Sequence, residues 1–206
     1  RDSTNLGYQN YYCATEEKDL MNKLYFDNIR LGEVLSNLSA TEPVFRDADI
    51  VGLDMKCLSW QASADPLRGQ PNGIDSRTIC TLTRYAGLSD RVSFMGVYEL
   101  PSTPMMDQLL AQMVWYFIEG FSIRFNEYPV AVNQGYKKYS VTLSNQTIIF
   151  YKSEKSQRWW IELTNDSHLN NKIKKATLIA CTENDYESAT HDVVPEIWYN
   201  AVRRMH

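Results

Sequence analysis

Cysteine is scarce and scattered. The chain has four, Cys13, Cys57, Cys80 and Cys181, and no two form a C-x-x-C pair. That spacing excludes a zinc knuckle and a thioredoxin-type redox motif, and leaves free buried thiols in a reducing cytoplasm as the expectation. Histidine is scarcer still, at three. His168 lies in a polar stretch and His191 stands beside Asp192. Neither has a partner at ligand spacing, so both read as surface or capping residues. Long apolar runs are missing as well. The longest, Leu109 to Phe121, is broken by Gln112, Glu119 and Gly120, too short and too polar for a membrane span. No signal or transit pattern is present, and the expected location is the cytoplasm. Positive charge is not in excess. The net charge is −4 and the pI about 5.4, which argues against nucleic-acid or anionic-membrane partners. Lys172, Lys174 and Lys175 form one short basic cluster, read as a solvated face. The glycosylation tripeptides at Asn37, Asn145 and Asn165 are of a kind common by chance.

What is present is enough to fold. Hydrophobic residues make up 44% and charged residues 22% of 206 residues, ordinary shares for a globular chain with a core of its own. Arg1 to Tyr12 lacks an initiator Met and reads as the middle of something. A processed chain or part of a longer polypeptide is expected, with Asn5-Leu-Gly7 resembling a strand end. Glu16 to Leu24 has helical spacing with Thr15 as N-cap, and Ile29 to Leu38 repeats that spacing until Pro43 ends the region. Ile50 to Met55 is a short continuous apolar run closing on Asp54, the pattern of a parallel strand buried on both faces.

A polar loop with Pro and Gly, Ser59 to Asp75, follows. Ser76 to Ala86 is then expected as a helix closed by Gly87 as a left-handed cap. Arg91 to Glu99 reads as a second strand ending on an acid. Asp107 to Phe125 is the strongest helix, with a wide apolar stripe. From Tyr139 to Leu163 the period drops to two, predicting an antiparallel hairpin or meander of three strands. Trp159 and Trp160 should face opposite sides, so that either both pack or one stays available to a partner. Thr177 to Cys181 is one more buried strand, followed by helical pieces at Tyr186 to Ala189 and Val194 to Met205. This alternation predicts an α/β fold with a mostly parallel sheet, a site at its C-terminal edge, and a small antiparallel β excursion.

Asp54 and Glu99 are the acids placed to work at that edge. Taken alone, each is as readily a cap or half of a surface ion pair. Two acids at i and i+2 on such a strand would share a face and could share cations, but position i+2 here is Lys56.

Val51-Gly-Leu-Asp54-Met-Lys56, the loop from Asp65-Pro66 to Pro71-Asn72-Gly73, and Gly96-Val-Tyr-Glu99-Leu-Pro101 resemble the third metal motif and following segments of the ureohydrolases: arginase, agmatinase and formimidoylglutamase. The family pattern is Ser-x-Asp-x-Asp on a strand, a Pro/Gly loop ending in Gly-Gly, then a helix and a strand with Met-Glu-x-Asn-Pro. The resemblance runs from about Asp47 to Phe121. It is nearest to a formimidoylglutamase-like bacterial branch, to which Asn5-Leu-Gly-Tyr-Gln9, Arg84-Tyr-Ala-Gly-Leu88 and Trp159-Trp160 are also similar. It implies a three-layer arginase-like fold, with residues 1–206 the C-terminal part of a single domain and 139–163 an insertion in it.

The resemblance further implies a manganese pair activating a water against an amidine or guanidine carbon, with Asp54 a metal ligand and Glu99 the contact for the substrate amidinium. Three departures count against it. Lys56 stands in place of the second metal-binding Asp, Asn72 replaces the first Gly of the pair, and the earlier family motifs Gly-Gly-x-His and Asp-Ala-His-x-Asp are not found. A unit charge about 5 Å away at an effective dielectric of about 20 counts for about 3 kcal/mol, so exchanging a carboxylate for an ammonium makes two metals unfavourable. Either one metal survives, or Lys56 replaces a cation and pairs with Asp54 or with another acid in the cleft. The second is the expectation.

Two functions follow from this reading. One is an amidine hydrolase with a small-molecule substrate, catalytically impaired. The other is a non-catalytic homologue serving as scaffold or protein partner, with self-association open.

Overall fold

The computed structural model describes residues 3–24, 26–65, 67, 69–127, 135–143, 146–163 and 177–205. The chain divides into two compact units, 1–126 and 127–206. Among the described residues no helix is long and apolar enough to cross a membrane.

In the first unit β1 (Thr4–Tyr8) pairs in parallel with β2 (Asp27–Arg30), with α1 (Thr15–Lys23) between them. The cap of α1 is Ala14 rather than Thr15. Glu17 supplies what Ala14 lacks, its carboxylate accepting the Ala14 N–H at 3.0 Å. The helix expected from Ile29 begins instead at Leu31, as α2 (Leu31–Ser36). Ile29 is taken into β2 opposite Leu6, and strand pairing overrides the local spacing. Pro43 does not end a helix. It sits in the first turn of α3 (Glu42–Asp47), where a missing N–H costs nothing.

β3 (Ile50–Asp54) and β4 (Phe94–Tyr98) pair in parallel, in register from Ile50 against Phe94 to Asp54 against Tyr98. At their N-terminal ends Arg91 grips the Asp49 carboxylate at 2.8 and 2.9 Å through Nη2. The Ser93 N–H also donates to the Asp49 carbonyl at 3.0 Å. Between the strands lie the short α4 (Trp60–Ser63) and α5 (Ser76–Leu88). Asp75 caps α5 by accepting the Thr78 N–H at 2.8 Å. After β4 comes α6 (Pro104–Ser122), capped by Thr103. Val51 and Leu53 of β3 join Ile79 and Leu82 of α5 and Met106, Leu109 and Met113 of α6 in one core. β3 was expected to be buried on both faces, but Ile50, Gly52 and Asp54 are exposed. Gly87 lies inside α5, which ends one residue later at Leu88 with Ser89 as cap. It is a packing residue, not a left-handed cap.

The second unit is an antiparallel sheet of four strands in the order β5 (Tyr136–Leu143), β6 (Gln146–Ser153), β7 (Trp159–Leu163), β8 (Thr177–Cys181). The period-two stretch is thus the meander expected. β8 differs from the expectation. It pairs antiparallel with β7, Trp159 against Cys181, rather than returning to a parallel sheet. A five-residue apolar run carries no directional information, and the β7 neighbour decides. α7 (Glu183–Thr190) and α8 (Glu196–Met205) follow, and Ala189 and Ala201 join Phe150, Trp159 and Ile161 in a second core.

Trp159 and Trp160 do face opposite sides, and both are buried, at 4% and 3% exposure. Trp159 stacks on Tyr186 with centroids 4.7 Å apart, and Trp160 meets Tyr136 edge-on at 5.6 Å. Neither is left for a partner.

On β6, burial, then the hydrogen bond that Tyr151 Oη donates to Glu162 (2.6 Å) together with that carboxylate's charge, pushes the Tyr151 phenol up from 10.0 to about 12. A raised folded-state value means that the native protein keeps a proton the unfolded chain surrenders first. The contribution is whole below about pH 10 and is lost as pH climbs through about 12. Tyr151→Phe should therefore flatten the alkaline fall in stability between those values. Denaturant titrations at a series of pH values read this directly, and an unchanged slope would assign the fall to other groups.

Candidate functional site at the edge of the first parallel pair

Asp54 and Glu99 stand together at one strand edge, as expected. Asp54 is the last residue of β3, its neighbour across the pair is Tyr98, and Glu99 follows directly. Glu99 turns off the strand with φ of +56°, in the left-handed region that a β-carbon disfavours.

Lys56 departs from its expected place. The strand stops at Asp54, and Met55–Cys57 form a 3₁₀ turn, so the rule that i and i+2 share a strand face does not apply. Asp54 caps that turn, its Oδ1 accepting the Lys56 backbone N–H at 2.9 Å. The Lys56 ammonium goes to the Glu99 carboxylate instead, with Nζ 3.1 Å from Oε2. Of the acids open to Lys56, Asp54 or another in the cleft, the ammonium takes Glu99, and the favoured Asp54 pair does not form. The argument from a buried carboxylate needs correcting too, because Asp54 is exposed and both side chains of the ion pair are more than half exposed, at 57% and 51%. An exposed pair of this kind stabilises by less than about 1 kcal/mol. Its interest lies in occupancy, since one ammonium already satisfies Glu99.

Cys57 completes the turn. Burial first, and the nearby Asp54 carboxylate second, push its thiol up to about 11, so it is protonated at neutral pH and is a poor nucleophile or metal ligand. The polar loop that follows is tied to the beginning of the first unit. Its Asn72 carbonyl accepts from Gln9 Nε2 at 2.9 Å, and Tyr12 donates to Gln70. Asn72 is not among the left-handed residues, so its backbone does not require the glycine of the resembled pattern.

Manganese, implied by the resemblance, does not fit these residues. Among the described residues no group of three or more His, Cys, Asp and Glu side chains is placed to hold a metal ion. Asp54 engages its own turn, and Lys56 brings a cation where a ligand belongs. His191 is elsewhere, its Nδ1 donating to the Glu187 carbonyl at 2.8 Å at the end of α7. His168, Asn145, Asn165, Lys172, Lys174 and Lys175 lie outside the described residues.

Sequence reasoning missed the turn that takes Lys56 off the strand. An acid with a free N–H two residues on is the local signal for such a turn.

No sequence-family model and no curated protein matches the chain. Solved structures do resemble it. A formiminoglutamase from Trypanosoma cruzi with Mn²⁺ superposes with a TM-score of 0.55 at 16% identity, over 59% of this chain and 43% of that one. A formimidoylglutamase from Bacillus subtilis gives 0.53 at 14% identity, over 59% and 42%. An arginase superfamily protein from Trypanosoma cruzi gives 0.55 at 16% identity, over 59% and 43%. The chain spans less than half the length of each of these structures. Identity this low speaks for the fold alone, and the matched share of the chain has an α/β course similar to that of these structures.

Proposed function

We propose that this chain is part of an arginase-fold protein of the linear-amidine or guanidine C–N hydrolase kind, formimidoylglutamase-like, whose hydrolytic centre is impaired at the edge of β3 and β4. The observation that carries the reading is the ion pair between Lys56 and Glu99. Hydrolysis of the resembled kind needs Glu99 free to meet a substrate amidinium and position 56 to offer a carboxylate to a cation. Here the Lys56 ammonium takes the amidinium's place at Glu99 and brings a positive charge where a carboxylate is needed. The reading carries with it a three-layer arrangement for the parallel part, and a place for these residues in the C-terminal part of one arginase-like domain.

The test is elemental analysis of the full-length protein purified with manganese, beside an assay of formimidoyl-amino-acid hydrolysis. Neither two ions per chain nor enzyme-like turnover is expected. Lys56→Asp should tighten manganese binding about tenfold or more, the exposed geometry discounting the Coulomb gain. Two manganese ions per natural chain with rapid amidine turnover would overturn the reading.

A second reading, a scaffold or partner protein without catalysis, draws on α6. That helix exposes Trp115, Ile118 and Phe121 at 59%, 59% and 54%, at a spacing that sets them along one side. Single exposed apolar residues are ordinary on a protein surface, whereas a row of them suits protein contact.

A further inference from the structure

The inward side of α6 belongs to the core of the first unit, where Met106, Leu109 and Met113 are buried. Its outward side is unlike an ordinary solvent face. Ala111, Val114, Ile118 and Phe121 are all exposed and follow one another at intervals of three, four and three residues. That alternation is the seam by which one helix packs along another, whereas a helix side that faces water is normally charged. Trp115 flanks the seam, and Gln108, Gln112 and Ser122, also exposed, carry no charge. The charges stand at the two ends. Asp107 continues the alternation before Ala111, in the first turn of the helix. At the far end Arg124 holds its guanidinium over the Phe121 ring, 4.3 Å from the centroid. Glu119, the one acid between these ends, is engaged by Arg84 at 2.7 Å.

The seam matches itself when it is reversed. Two copies of α6 set antiparallel about a two-fold axis level with Tyr116 bring Ala111 of each copy to Phe121 of the other, and Val114 to Ile118. The smallest side chain of the row then meets the largest, and two branched side chains meet each other, which is the complementarity that close packing requires. The same arrangement brings the Asp107 end of one copy to the Arg124 end of the other, acid to base. A parallel pairing does the reverse. It sets Phe121 on Phe121, leaves a gap between two Ala111 methyls, and places Asp107 beside Asp107. Size and charge together name a second copy, antiparallel, as the occupant of this face.

We propose that α6 is the contact of a two-fold homodimer, in which two copies of this chain pack their α6 helices antiparallel along Ala111, Val114, Ile118 and Phe121. The proposal rests on the partner-protein reading, whose exposed row it uses, and deepens it by naming the partner as the chain itself. Such a contact is isologous, so it closes on two copies. It is also short. The 19 residues of α6 extend about 28 Å, and a seam on one helix falls below the roughly 800 Å² per partner of a standard interface. The dimer should therefore come apart on dilution.

The test is sedimentation of the full-length natural protein over a range of concentrations, where the mass should rise from that of one chain to that of two. Ile118→Lys puts an ammonium opposite Val114 in each half of the contact and should weaken the dimer about tenfold or more. Leu67→Lys, at a residue 95% exposed, should leave it unchanged. Ala111→Phe should weaken it as well, because it sets Phe against Phe121 of the second copy. The exchange of Ala111→Phe together with Phe121→Ala should restore the parent's affinity, since only antiparallel copies make positions 111 and 121 neighbours. Every side chain changed is exposed, so circular dichroism of the variants should be that of the parent. A natural protein with the mass of one chain at every concentration would overturn the proposal. A dimer indifferent to Ile118→Lys, or an exchange variant as weak as Ala111→Phe alone, would overturn it too. None of these substitutions touches Lys56 or Glu99, so the metal and turnover measurements stand apart and the hydrolase reading fails or holds separately.

Discussion

Alanine in place of Gly87 should destabilise the first unit by about 3 kcal/mol or more, a large effect for one methyl group. The reason is a backbone approach. A β-carbon built at Gly87 would lie 2.2 Å from the Phe117 carbonyl oxygen, and one at Gly120 would lie 2.5 Å from the Arg84 carbonyl oxygen. α5 and α6 thus cross where each presents a glycine to the backbone of the other. No rotamer change relieves such a contact, and the helices must separate. The Arg84–Glu119 ion pair (2.7 Å) lies beside the same crossing. Gly32 in α2 is the control, because a β-carbon there meets nothing within 4 Å. Gly32→Ala should be neutral or stabilise by about 0.5–1 kcal/mol. Chemical denaturation of both variants checks the contrast. The double variant Gly87→Ala with Gly120→Ala should cost less than the sum of its parts, since helices already forced apart accept the second methyl. A Gly87→Ala protein as stable as the parent would show that the helices do not cross this closely.

The second large effect belongs to Phe150. Its ring is fully buried on β6, meets Tyr186 edge-on at 5.4 Å, and shares a core with Trp159, Ile148 and Ile161. Truncation leaves a cavity that the surrounding strands cannot close, because both neighbours are held in ladder register. Phe150→Ala should cost about 3–5 kcal/mol. Phe150→Leu, which keeps most of the volume but not the aromatic edge contact, should cost clearly less. Hydrogen exchange of the β6 and β7 amides localises the loss, which should leave the β3 and β4 amides unchanged if the units melt separately. Equal losses in the two variants would mean that the site has room to collapse.

Much of the α/β course was legible because it rests on local periodicity. The period-two stretch from Tyr139, the apolar stripe of α6 and the apolar runs of β3 and β4 all state their own structure, and the acids after those runs stand at one edge as expected. Where expectation failed, a tertiary contact decided. Ile29 has helical spacing but is recruited by Leu6 across β1 and β2. Gly87 looks like a helix stop, yet the approach of α6 requires a glycine within α5. Of the two outcomes open to Trp159 and Trp160, both packed or one left available, packing against Tyr186 and Tyr136 decides for both. For the candidate site, position and charge were readable and partnership was not. The sequence leaves Lys56 to pair with Asp54 or with another acid in the cleft, and only a continued strand favours Asp54. A 3₁₀ turn of three residues leaves Asp54 capping the backbone and sends the ammonium to Glu99.

By itself the sequence determined the longer helices α5 and α6, that one group of strands runs in apolar blocks and another in alternation, and that a cation stands where the resembled motif has an acid. These are properties of neighbours along the chain, where spacing of 2 or 3.6 residues maps directly onto faces. Tertiary structure alone decided that β8 joins the antiparallel sheet, that two glycines let α5 and α6 touch, and that Lys56 neutralises Glu99 instead of Asp54. Each of these depends on the distance between residues far apart in the chain, and side-chain pattern carries no term for that distance.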